Sequence, residues 1–170
     1  MIAAGTLEAL QESVVRQLER RLTGVRVFGG FCREQFFGRV EQPMLSVQVH
    51  QVRTQSMGLD DYFGGGRDGA LYREWRGELA QVTMRFVLFV PLGLEMEASA
   101  VFLTICRALR KLETPFAEFV CGETVFLDKA QCFQTVMHAV GSLLITDEEE
   151  AAVISEIRLT AAGTGGEGHE

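Results

Sequence analysis

The chain predicts an α+β domain: a mainly antiparallel sheet with two helices packed on one face and a long β-ribbon loop. Three observations carry this expectation. Apolar residues recur at helical spacing over residues 6–22 and 95–112. Several other stretches alternate or run apolar in the manner of strands. Two of these strands, residues 44–52 and 79–90, flank a glycine-rich, charged stretch, residues 58–78, centred on Gly64-Gly65-Gly66. At 170 residues one domain is expected. It is placed at residues 1–160, with a disordered tail at 161–170.

In the first helix Leu7, Leu10, Val14, Leu18 and Leu22 form one apolar stripe. Thr6 is a candidate N-cap, Glu8 suits the positive helix start, and Gly24 ends the element. Val25-Arg26-Val27-Phe28 reads as a short strand. Residues 31–42 read as a loop with aromatic anchors at Phe31, Phe36 and Phe37, broken by Gly38 and Pro43. In the next strand Leu45, Val47 and Val49 alternate with Ser46, Gln48 and His50, so the second set should be wet. Val52 falls out of phase, which marks a bulge or twist.

Residues 58–78 are too long for an ordinary connection and read as a flexible ribbon tip. Tyr62, Phe63, Arg67, Asp68, Tyr72 and Trp75 are its candidate interaction residues, because aromatic and charged groups anchor protein interfaces. The tip is expected to be poorly ordered in an isolated subunit and ordered beside neighbours. In the following strand Val82, Met84, Phe86, Leu88 and Val90 share one face, and the other turns apolar at Val87 and Phe89. Its end should therefore be covered on both sides. The second helix carries Val101, Phe102, Ile105, Leu109 and Leu112, with acids at its start and bases at its end. Strands follow at residues 119–121, 124–127 and 132–145, then a charged turn at 147–150 and a last strand at 153–160.

Composition bounds function. An apolar fraction of 47% supports an ordinary core. A formal net charge of −7 argues against gripping nucleic acid as the main task. Arginines gather in the first quarter and acids near the end, a polarity suited to head-to-tail packing of identical subunits or simply to two solvated faces. No apolar run is long enough for a membrane helix, and the first residues do not resemble a secretory signal.

No catalytic, cofactor or metal signature stands out. Cys32, Cys106, Cys121 and Cys132 match no zinc spacing and read as small buried hydrophobes. His50 and His138 read as strand residues and His169 as part of the tail. Asp60-Asp61 lie in the expected flexible loop, a poor setting for shifted pKa values. Gly64-Gly65-Gly66 lacks the lysine of a phosphate loop, and Gly141-Ser142-Leu143 lacks the second glycine of a nucleophile elbow. Cys121 and His138 are the least unsuitable pair for a cysteine hydrolase, if they met across strands.

The order is an amphipathic helix, a short strand (Val25-Arg26-Val27-Phe28) and a Pro-initiated strand (Pro43-Met44-Leu45-Ser46-Val47-Gln48-Val49). A loop, a long strand (Val82 to Val90), a helix and a terminal strand complete it. Over about residues 6–160 this resembles the tail terminator or tail-completion proteins of tailed phages and related contractile particles. The resemblance implies a structural protein of the virion tail, assembled in the host cytoplasm, with no enzymatic activity and no cofactor. It implies a homo-oligomeric ring, often a hexamer, that ends the tail tube and joins head to tail. Implied partners are itself and tail tube, sheath or head-connector proteins, with DNA only as passing cargo and no membrane. The alternative is a cytoplasmic adaptor or ligand-binding α+β domain without enzymatic activity.

Overall fold

Leu10, Val14 and Leu18 stand one helical turn apart and are buried, which seats α1 (Leu7–Glu19) on the sheet. Leu22 continues the stripe beyond the helix, and Gly24, at φ +77°, turns the chain into β1 (Arg26–Gly29). The computed structural model describes residues 7–30, 39–56, 62–68, 71–112 and 116–152. The expected last strand at 153–160, the tail at 161–170, the Thr6 cap, and Phe31, Phe36 and Phe37 lie outside them.

The remaining elements are β2 (Met44–Ser56), β3 (Tyr62–Asp68), β4 (Leu71–Pro91), α2 (Ala98–Leu109), β5 (Phe116–Leu127) and β6 (Cys132–Ala152). The sheet runs β1-β2-β4-β6-β5, with β3 paired to the far part of β4. Every pairing is antiparallel except β1 with β2. The fold class is therefore the expected one.

Both helices lie on one face. Ala80, Val82, Met84, Phe86, Leu88 and Val90 of β4 meet Leu45 and Val47 of β2, Met137 and Ala139 of β6, and the buried stripes of α1 and α2. Each fully buried aliphatic or aromatic side chain contributes roughly 1.5–3 kcal/mol relative to exposure. A smaller cluster covers the opposite face at one end, built from Val40, Met44, Val87, Phe89, Ala130 and Cys132. It gives the end of β4 cover on both sides, as the apolar run Val87-Leu88-Phe89-Val90 predicts. It also buries Ser46, expected to be wet, whose hydroxyl donates to the Gly30 carbonyl at 2.8 Å.

The bulge signalled by Val52 falls between Val49 and Gln51. There the Val49 N–H donates to Gln11 Oε1 of α1 at 3.1 Å. A Cβ on Gly29 would stand 2.9 Å from Gln11 Nε2, so the glycine makes room for this side chain. Gln11→Leu should cost about 1–2 kcal/mol in urea unfolding, because a part-buried donor is stranded at the bulge.

Three expectations need correction. Of residues 58–78, read as a flexible ribbon tip, residues 62–68 and 71–78 form regular strands: β3 and the start of β4 pair through Asp68↔Leu71, Arg67↔Tyr72, Gly66↔Arg73 and Gly64↔Trp75. β4 has ladder partners on both sides here, which outweighs the weak strand propensity of the three glycines on the outer strand. Residues 147–150 are not a turn but lie within β6, where Asp147 faces Arg76 and Glu150 faces Arg73 in register. Finally, residues 119–121 and 124–127 are one strand, β5, with an irregularity between Cys121 and Thr124 rather than a break.

Candidate interaction surface

The sheet places the chemically notable side chains on separate faces. Cys121 is the register partner of Met137, and His138 that of Val120. Met137 belongs to the helix-side core, so Cys121 shares that side and His138 points away from it. The pair that a cysteine hydrolase would need is thus divided by the sheet. Cys106 and Cys132 are buried as expected, and burial pushes both thiols up from their ordinary pKa. Cys121 is exposed, contrary to expectation, because it lies on the edge strand β5. Cys32, Asp60, Asp61 and His169 lie outside the described residues. Among the described residues, no group of three or more His, Cys, Asp or Glu could hold a metal ion. Nor is any described helix long and apolar enough to cross a membrane.

The predicted interaction residues fall on one ribbon. Tyr62 and Phe63 begin β3, Arg67 and Asp68 end it, and Tyr72 and Trp75 lie on β4. Register brings Arg67 opposite Tyr72 and Trp75 opposite Gly64.

A second surface was not legible in the sequence. Phe126 of β5 and Phe133 of β6 are register partners whose rings stand 5.3 Å apart at 58°. They remain 41% and 38% exposed, a large solvent-facing area for two phenylalanines. Leu94, 49% exposed, stands before α2 on the rim of the same groove. The groove, of about 600 Å³, runs between residues 94–98 and the sheet end formed by Val90, Thr124, Phe133 and Thr135. The Thr124 and Thr135 hydroxyls bond each other at 2.8 Å, so this part of the floor presents satisfied polar groups. Glu95 and Glu97 add carboxylates at the rim. Such a groove fits an apolar side chain carried beside a basic one. Edge strand β5, largely exposed, borders it with free backbone groups on its outer side among the described residues.

On the opposite face, His138 has a pKa lowered by burial first, then by His50 and Arg85. A folded-state pKa below the unfolded value means that the unfolded chain takes up the proton more readily. The stability associated with His138 is therefore complete above about pH 6.5 and is lost as pH falls from there toward the folded-state pKa. Thermal melts between pH 7.5 and 5.5 should show a smaller decline for His138→Gln than for the natural chain.

No family model matches this chain, and no curated protein does. A solved structure does: the sheath/tube terminator of an extracellular contractile injection system, PVC, in its extended state. The likeness has a TM-score of 0.53 at 12% identity and covers 96% of this chain and 67% of the other. At that identity it establishes a shared fold. The chain thus shares the α+β fold of a sheath/tube terminator.

Proposed function

We propose that this chain is a structural protein of a phage or phage-like tail, forming a ring at the end of the tail tube. The observation that carries the proposal is the fold shared over 96% of the chain with a sheath/tube terminator. The element order of the sequence supports it independently. The exposed Phe126–Phe133 pair, the groove that Phe133 lines and the open β5 edge supply surfaces for heterologous contacts, and ring closure needs two different surfaces on each subunit. Arg16, Arg20 and Arg21, exposed on and just after α1, complement the carboxylate rim of the groove. In this reading tail tube and sheath subunits are the partners on the flat sides of the ring, and the head connector is the partner beyond it. A hexamer is the expected ring, and no enzymatic step is assigned to it.

Native mass spectrometry of the purified protein, alone and with tail-tube protein, tests this. A closed homo-oligomer, or one formed on adding tube protein, is the expected result. A monomer under both conditions, without binding to tube, overturns it. Hydrogen exchange adds a local test: backbone amides of residues 58–78 should gain protection on assembly. Equal protection in the free and assembled protein would remove the ribbon from the interface.

A further inference from the structure

A row of register partners crosses four strands: Gln48 on β2, Arg85 on β4, His138 on β6 and Val120 on β5. It lies on the face away from the helices. Met84 and Phe86 flank Arg85, Met137 and Ala139 flank His138, and all four belong to the helix-side core. His50 joins the row through the bulge. Its ring stands 5.8 Å from that of His138, although β4 separates their strands. Strands two apart in a sheet are about 9.5 Å apart. The two imidazoles therefore lean together over the strand that carries Arg85.

All three groups can be cationic, and none has a carboxylate partner among the described residues. Among the described residues the ion pair present is Arg16 with Glu12, on α1. The acid on this face of β5 is Glu118, opposite Val140 and so two positions along β6 from His138. On the remaining strands the neighbours along this face are Gln48, Gln51 and Arg53 of β2 and Thr83 of β4. Three convergent basic side chains without a counter-charge are unexpected in a chain of net charge −7. A cation is the wrong ligand, since two imidazoles beside a guanidinium offer too few lone pairs and repel positive charge.

We propose that His50, Arg85 and His138 form an oxyanion site for a carboxylate or a tetrahedral anion, with affinity set by protonation of the two imidazoles. Arg85 is the permanent charge and the forked donor. His50 and His138 each offer a ring N–H, and both become full donors when protonated. In the free protein, burial, His50 and Arg85 all disfavour charge on His138. A bound anion offsets the two repulsions, so binding and protonation reinforce each other and affinity rises as pH falls. The inference stands apart from the tail reading and would survive its failure.

Two probes are used: inorganic sulfate, whose charge is fixed, and an N-acetylated hexaglutamate peptide, whose carboxylates stay largely ionised, as a source of protein carboxylates. Each is titrated at pH 5.8 and 7.8 while the imidazole signals of His50 and His138 are followed by NMR. Both signals should shift together and saturate, with a dissociation constant several-fold lower at pH 5.8; a one-unit rise in one histidine pKa on binding sets an upper limit of about tenfold. Arg85→Gln should weaken binding at both pH values. His138→Gln should flatten the pH dependence while leaving the rest of the spectrum in place. Tighter binding of the peptide identifies protein carboxylates as the source, and tighter binding of sulfate a free tetrahedral anion. The proposal is overturned if neither probe gives a saturable shift, if affinity is the same at both pH values, or if Arg85→Gln binds like the natural chain.

Discussion

Phe86→Ala should lower the stability of the domain by about 3–5 kcal/mol, the cost of removing a buried aromatic side chain and leaving a cavity. Phe86 is 1% exposed and lies midway along β4, with Val47 of β2 and Met137 of β6 as register partners. All three belong to the cluster that α1 and α2 cover, so the cavity would open where both helices and the three central strands meet. For a chain of this length the loss corresponds to a fall in Tm of roughly 10 °C. Urea unfolding should show a lower midpoint with an unchanged slope. Val87→Ala, one residue on, faces the smaller cluster of the opposite side and should cost less. A greater loss from Val87→Ala than from Phe86→Ala would mean that the principal core has been placed on the wrong face.

Replacing Phe126 and Phe133 together by serine should leave the fold nearly intact and weaken assembly or partner binding by roughly 30- to 1000-fold, the range of an interface hot spot. Each ring keeps about two fifths of its surface in solvent, so little of the core depends on it. Phe133 lines a groove whose rim carries Glu95 and Glu97, and the ring of Phe126 stands 5.3 Å from that of Phe133. Leu103→Ser is the control, since Leu103 is 52% exposed on α2 and does not line the groove. Sedimentation of both variants and the natural chain with tail-tube protein, alongside thermal melts, separates loss of contact from loss of fold. Equal assembly by the double variant and the natural chain would exclude the groove as a contact surface.

Much of the fold is legible because its information is local. Leu10, Val14 and Leu18 announce α1 by spacing alone, and Val101, Ile105 and Leu109 do the same for α2. Even the bulge at Val49/Gln51 is visible, as a phase error at Val52. What escapes local reading is decided by distant pairing. The glycines and charges of residues 58–78 read as a loop until β6 supplies a second ladder for β4, with Trp75 opposite Glu148 and Tyr72 opposite Ala151. The acids of residues 147–150 read as a turn until Arg73 and Arg76 are found facing Glu150 and Asp147. The groove was hidden for a different reason. Thr124-Val125-Phe126-Leu127 is an apolar run, and such a run does not say which of its faces is left uncovered. The cluster of His50, Arg85 and His138 combines both difficulties, since the bulge on β2 and the β4–β6 register together set its geometry.

The β4–β6 pairing runs without a register shift from Leu71↔Ala152 to Pro91↔Cys132. At about 3.4 Å per residue, these two strands extend for ~70 Å. The helix-side core grips β4 from Ala80 to Val90, and residues 71–79 carry the strand on as an arm paired with β6 throughout. Ladder bonds lie across the strands, so tension applied to one strand against the other along its length loads them in shear, many at once, rather than peeling them in turn. Between Ala80 and Val90 sliding by one position would also turn every inward side chain outward, so the ladder does not creep under load. Mechanically it is a stiff lever rooted in a packed body, able to pass a push or a pull from its tip to the core without changing its own length.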